Sequence, residues 1–229
     1  STGWVLLIGM LTVVILVVGA VAYLMIHENR KAITPNLSES GLFLALCEVA
    51  MLPICLGGIA LAVWLKGWPL KEYLGLTMPT RRELLRYLGG LAILIVLSDG
   101  LMLIIGRPVV PDFGLQAYRT AGFLPLLLVA MILCAPLIEE IVFRGFLFRG
   151  YEASVVGPVG AVLFTGVGFG LLHMQYDWVG IVAALLVGSY LGWVRLRTGS
   201  TILTIIIHAV SNAVATAECT VAIEFMGRT

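Results

Sequence analysis

The sequence predicts an all-α protein, a polytopic bundle of about seven transmembrane helices, with six to eight as the range. Hydrophobic residues make up 60% of the chain and charged residues only 12%, and the mean hydropathy is +1.06. Soluble domains carry about 25% charged residues, and a soluble fold exposing this much apolar surface would aggregate. The apolar runs are continuous rather than alternating over about ten residues, which favours membrane helices over a β-barrel.

Seven apolar segments approach the roughly 20 residues that a helix needs to cross a bilayer. They are residues 4–26, 41–65, 88–106, 123–148, 155–173, 178–194 and 201–223. The first has no basic region before it and is predicted to be a retained membrane helix rather than a signal peptide. We find no internal repeat and treat residues 1–229 as one membrane-embedded domain.

The segment between the second and third spans, residues 66–87, differs from its surroundings. It carries five basic residues among Leu, Tyr and Trp, namely Lys66, Lys71, Arg81, Arg82 and Arg86. Thr80 can cap a helix that begins at Arg81, because its hydroxyl can accept from a backbone N–H of the first turn. The pattern predicts an amphipathic piece at the membrane surface, with a solvated basic loop as the alternative.

The distribution of basic residues predicts the orientation, because cytoplasmic loops are enriched in Lys and Arg. If residues 66–87 lie inside, their side of the membrane carries nine basic residues, the five above with Arg144, Arg149, Arg195 and Arg197. The other side carries five, namely Arg30, Lys31, Arg107, Arg119 and Arg228. We therefore expect a multi-pass protein with a cytoplasmic N-terminus, and its compactness suggests a bacterial inner membrane.

Composition also bears on partners. The net charge of +1 does not indicate a nucleic-acid-binding surface. The expected partners are the lipid bilayer and a membrane peptide or protein, with a membrane protein complex as an alternative. The four cysteines lie in apolar runs without a close pair and indicate neither a disulfide framework nor a zinc knuckle.

Ionisable residues inside membrane spans are costly and are functional candidates by default. Here they are Glu48, Asp99, Glu139, Glu140, His173, His208 and Glu218, with Asn212 as a neutral polar neighbour. Glu48, Asp99 and Glu218 have no motif around them, and we assign them no role.

Glu140 and Arg144 are four residues apart, so they share a helix face and can form an ion pair that supports the structure. Glu139 points about 100° away from Glu140 and lacks that partner. An unpaired carboxylate in an apolar setting is a candidate general base. The alternative is that both acids lie at a helix end in the membrane interface.

Four-residue spacing also places Phe169 on the face of His173, and His208 on the face of Asn212. A single histidine at a span end is more often an interfacial or core residue than a catalyst. Two membrane-embedded histidines, in a chain that has three in total, favour a functional site.

These residues resemble the motif series of the CPBP intramembrane protease family, which includes type II CAAX prenyl endopeptidases and bacterial Abi proteins. The series is Glu139-Glu140-x-x-x-Arg144, Phe169-x-x-x-His173 and His208-x-x-x-Asn212, in the contexts APLIEEIVFRGFLF, FGLLHM and GSYLGWVRLRTGSTILTIIIHAVSNA. The resemblance covers about residues 126–215. Its specificity comes from the three motifs occurring in order along the chain. The first hundred residues carry no family signal.

The resemblance implies hydrolysis of a peptide bond in a membrane-associated peptide or protein. Glu139 would activate a water, His173 would help to orient it, and His208 and Asn212 would stabilise the oxyanion. Glu140, Arg144 and Phe169 would support the site. For Glu139 and His173 to line one cavity, the fourth helix must continue to about Arg149, since a helix rises only about 1.5 Å per residue.

Two questions stay open at the level of sequence. Glu139, His173 and His208 could hold a catalytic zinc, but no H-E-x-x-H motif is present, and we expect no obligatory metal. The alternative functions are a non-catalytic scaffold, a subunit or a pigment-binding protein on the same fold, and a transporter or channel that uses the buried acids as a relay.

Overall fold

A computed structural model describes residues 40–226, which form eight helices and, within that range, no strand. We number them α1 (Gly41–Leu65), α2 (Leu70–Tyr73), α3 (Arg81–Ile104), α4 (Asp112–Arg119), α5 (Leu124–Glu152), α6 (Gly157–Leu171), α7 (Trp178–Thr198) and α8 (Thr201–Met226). The predicted all-α class is confirmed.

Within residues 40–226, five helices are long and apolar enough to cross a membrane, namely α1, α3, α5, α7 and α8. Together with the family described below, they show a multi-pass membrane protein. The first predicted span, residues 4–26, lies outside the described residues, so the count of seven stays a prediction. The fourth span ends at Glu152, which confirms that it extends beyond Arg149.

The predicted fifth span is shorter than expected. It is α6, with 15 residues, and a helix of that length rises only about 22 Å, against a hydrocarbon core of about 30 Å. His173 therefore lies beyond the end of α6, in the turn that leads to α7. This places the histidine on a connection instead of inside a span.

The Thr80 cap is confirmed, but the boundary of the third span is wrong. Glu83 N–H donates to Thr80 Oγ1 at 3.3 Å and Thr80 N–H donates to Glu83 Oε2 at 2.8 Å, a reciprocal capping box. The helix begun at Arg81 continues without a break to Ile104. The basic residues 81–86 are its first turns, and only α2 is a separate short helix in the predicted surface segment.

Helix α4 is not among the elements predicted from the sequence. Its eight residues follow Pro111 and contact both α1 and α8. A side chain at Gly41 would collide with the backbone carbonyl of Ala117, and Gly41 N–H donates to Thr120 Oγ1 at 2.9 Å. The start of α1 is thereby held against the end of α4.

Helix α5 is the centre of the bundle. It contacts α1, α6, α7 and α8, and 44% of its apolar window is buried, compared with 11% to 39% for the other four spans. Ala45 of α1 packs near Ala130, and Ile59 packs near Ile141. The two helices therefore run parallel, and α5 is placed where its polar residues are enclosed by protein.

Glycines bring α6 and α7 into close contact. A Cβ added at Gly188 would lie 3.0 Å from the Phe169 Cβ and 3.1 Å from the Gly166 carbonyl oxygen. One added at Gly192 would lie 3.3 Å from the Val162 Cα. Small residues allow such close approach between membrane helices, and here they set the distance between Phe169 and α7.

We expect Gly188→Ala to destabilise the protein by roughly 1–3 kcal/mol, because the added methyl group overpacks the α6–α7 contact. Thermal unfolding in detergent measures the change. The matched control is Gly89→Ala, an exposed position of α3 where a Cβ meets nothing within 4 Å. Equal unfolding midpoints for the two variants would contradict this account of the packing.

Candidate active site

Helix α5 contains two widened turns that redirect its hydrogen bonds. Residues Ala130–Cys134 form a π-helical turn in which Ala135 N–H donates to Ala130 O, five residues back. Pro136 has no N–H to donate, so the Met131 carbonyl receives no hydrogen bond from the backbone N–H groups that would usually donate to it. Asn212 Nδ2 donates to that carbonyl at 2.7 Å. The widened turn thus fixes Asn212 of α8 against α5.

The second π-helical turn, Ile141–Leu147, has a similar consequence. Phe148 N–H donates to Phe143 O, so it does not use the Arg144 carbonyl as it would in a regular α-helix. Arg195 Nε donates to Arg144 O at 3.0 Å and also contacts Thr201 Oγ1 at 3.1 Å. Insertions of this kind are frequent at functional sites, and the motif APLIEEIVFRG begins directly after the first turn and runs into the second.

The predicted pair of Glu140 and Arg144 is present and completely buried. Arg144 Nη1 donates to Glu140 Oε1 at 2.8 Å, and both side chains have 0% exposure. Arg144 Nη2 donates to the Gly188 carbonyl at 2.7 Å, and the guanidinium lies 4.8 Å from the centroid of the Phe169 ring. Backbone and aromatic contacts therefore hold the cation, as a charge in this environment requires.

His208 lies between the two adjacent acids. Its Nδ1 is 3.0 Å from Glu140 Oε1 and its Nε2 is 3.9 Å from Glu139 Oε2. The first distance is a hydrogen bond, which requires a proton on Nδ1 because a carboxylate only accepts. The second exceeds a direct hydrogen bond, and Glu139 Oε2 has no partner within the described chain.

Phe169 separates the two histidines of the predicted site. Its ring centroid is 5.3 Å from that of His208 and 4.7 Å from that of His173. His173 Nδ1 is bound to the Phe169 carbonyl at 2.9 Å. Glu139, Glu140, Arg144 and His208 therefore form one contiguous polar cluster, while His173 joins it through Phe169. Residues 40–226 show no direct polar contact between His173 and Glu139.

The sequence did not indicate Tyr176, which lies beside the cluster. Its ring is 5.4 Å from the His173 ring and 5.7 Å from the Phe113 ring. Burial, and next the negative charge of Glu139, raise the pKa of Tyr176 to about 12. The residue follows His173 in the turn after α6, and the only signal in the sequence was this proximity to a motif histidine.

The described residues show no preformed metal site. Within residues 40–226 there is no group of three His, Cys, Asp or Glu side chains arranged to hold one. We therefore derive no step through a metal.

A membrane-spanning helical bundle with a buried cluster of acids and imidazole is the class of protein that this fold and site define. The family model of type II CAAX prenyl endopeptidases, described as Rce1-like, matches residues 121–214. The match supports the CPBP/CAAX protease family and confirms the resemblance, and at the level of the family it supports a protease. No curated protein and no solved structure matches the chain.

We expect Glu140→Leu or Arg144→Met alone to cost roughly 3–5 kcal/mol, because each leaves an unpaired buried charge. The double variant should lose less than the sum of the two single variants, and thermal unfolding of the four proteins gives the coupling energy. The control is the exposed pair of Arg149 and Glu152, 2.9 Å apart, where Arg149→Ala should cost roughly 1 kcal/mol or less. Additive losses at Glu140 and Arg144 would refute the pairing.

Proposed function

We propose that this protein is an intramembrane endopeptidase in which Glu139 activates a water for attack on a peptide bond of a membrane-associated substrate. One observation carries the proposal: the Glu139 Oε2 atom is buried without a partner, 3.9 Å from His208 Nε2. A water can bridge polar atoms at such a separation. The family match supports the same class of reaction.

The hydrolysis would proceed by general acid–base catalysis. Glu139 takes a proton from the water as the oxygen attacks the carbonyl carbon, and the carbonyl electrons move to its oxygen. Collapse of the tetrahedral intermediate breaks the C–N bond, and the proton held by Glu139 passes to the leaving amine. The products are an amine and a carboxylic acid, which gives up its proton to water, and Glu139 returns to its starting state.

His208 and Asn212 are the proposed donors to the oxyanion. A doubly protonated His208 donates Nδ1–H to Glu140 and has Nε2–H left for the substrate. In that state the cluster of Glu139, Glu140, Arg144 and His208 has a net charge of zero. The amide nitrogen of Asn212 has two hydrogens, and its bond to Met131 O uses one of them.

Glu140, Arg144 and Phe169 would position these groups. Glu140 fixes the orientation of the His208 ring through Nδ1, and Arg144 balances the charge of Glu140. Phe169 packs against both histidines and the guanidinium. His173 would act from the far side of Phe169, through the water or the substrate.

The orientation in the membrane is also a proposal. The ends of α1, α5 and α7 and the start of α3 meet at one end of the bundle, where Ser200 Oγ donates to Thr77 O at 2.6 Å and Arg195 reaches Arg144 O. That end carries most of the basic residues, which supports a cytoplasmic location for it and a bacterial plasma membrane as the setting.

Glu139→Gln should lower cleavage of a membrane peptide substrate by roughly 10²–10⁴-fold, the size of a general-base contribution, and leave the unfolding midpoint unchanged. Cleavage is followed by mass spectrometry of products in detergent micelles. Asp99→Asn is the control, an acid of α3 placed outside the cluster, and should cleave like the wild type. Full activity of Glu139→Gln would exclude the mechanism, and ion flux in liposomes that depends on Asp99 and Glu139 would favour a transporter.

Removal of divalent metals should leave the cleavage rate unchanged, because the proposed chemistry uses only side chains and water. The assay compares protein treated with a strong chelator and passed through metal-free buffer with untreated protein, and total metal is quantified in both. Loss of activity that returns on addition of zinc would contradict a metal-free site.

A further inference from the structure

Two cavities lie at the end of the bundle opposite to the basic end. The inner cavity, about 120 Å³, is lined largely by apolar residues of α4, α5 and α8, and Asn212 is among its polar lining residues. The outer cavity, about 400 Å³, has a mixed lining in which apolar residues are joined by the polar residues Arg107, Asp112, Gln175 and Asp177. The latter volume is in the range of ligand-binding pockets.

The two cavities have three lining residues in common, Pro111, Phe113 and Tyr176. The rings of Phe113 and Tyr176 meet edge to face with their planes at 71°. Tyr176 is the member of this set that also contacts the site, through the His173 ring. It therefore lies at the boundary between the outer cavity, the inner cavity and the polar cluster.

The chemistry of Tyr176 suits contact with a substrate. Its pKa of about 12 keeps the phenol protonated at neutral pH, so the hydroxyl is a hydrogen-bond donor. The Tyr176 side chain is half-buried. Within residues 40–226 no hydrogen bond is recorded for the Tyr176 hydroxyl, whereas Tyr190 Oη donates to Tyr87 O at 2.6 Å. The hydroxyl is thus available to a molecule that occupies the cavities.

We propose that Tyr176 is a substrate-contacting residue, whose O–H donates to a main-chain carbonyl of a peptide extending from the polar outer cavity to the apolar inner cavity beside Asn212. This role of Tyr176 rests on the proposed endopeptidase function. The segment in the inner cavity is aliphatic, and the segment in the outer cavity is polar. The Arg107–Asp177 pair, at 2.9 Å, lies at the polar end.

The test is Tyr176→Phe, which keeps the ring contacts with Phe113 and His173 and removes only the hydroxyl. The probe is a quenched fluorescent peptide with an aliphatic segment followed by a polar one, in detergent micelles. We expect kcat/KM to fall by roughly 10- to 100-fold, less than the roughly 10²–10³-fold that is lost with a donor to the oxyanion, with an unchanged unfolding midpoint. Tyr151→Phe is the matched control, because its ring also packs on a phenylalanine, Phe164, and lines neither cavity.

Parallel assay of Glu139→Gln separates the two hypotheses. If Glu139→Gln is inactive and Tyr176→Phe cleaves like the wild type, the role of Tyr176 is refuted and the proposed function stands. If Glu139→Gln cleaves like the wild type, or the wild type cleaves no peptide, the function fails and the role of Tyr176 fails with it. A Tyr176→Phe loss that parallels a lower unfolding midpoint, or a shared loss in Tyr151→Phe, would also overturn the proposal.

Discussion

The buried ion pair of Glu140 and Arg144 is the interaction on which the rest of the site depends. Two charges without solvent exposure are costly in a membrane protein unless each is partnered. The partners come from the surrounding elements: the Gly188 carbonyl from α7, His208 from α8 and the Phe169 ring from α6. Because this one pair contacts residues of three helices, its formation determines how α6, α7 and α8 pack against α5.

The backbone of α5 makes this convergence geometrically feasible. A regular helix would satisfy its carbonyls internally, whereas the turns at Ala130–Cys134 and Ile141–Leu147 direct two carbonyls to side chains of other helices. Asn212 and Arg195 donate hydrogen bonds to these two carbonyls. Glu139, His208 and Asn212 are therefore on helices whose relative placement is set by hydrogen bonds, whereas His173 lies in the turn after α6. The glycines between α6 and α7 allow Phe169 to approach α7 closely.

Sequence reasoning predicted the parts of this structure that follow from local periodicity. The four-residue spacing of Glu140 and Arg144 predicted their pair, and the capping signal at Thr80 located the start of α3. It could not find the widened turns, because these depend on contacts with distant helices. It also missed α4, a short polar helix after a proline, and Tyr176, whose importance comes from two cavities that only the tertiary structure forms.

The central claim is that Glu139 and His208 hold one water between them inside the membrane. An experimental density map of the protein in lipid, at a resolution that shows ordered solvent, tests it directly. The account predicts a single solvent peak within hydrogen-bond distance of both the Glu139 carboxylate and His208 Nε2. Side chains that point to different surroundings, or a metal bound by Glu139 and the two histidines, would contradict it.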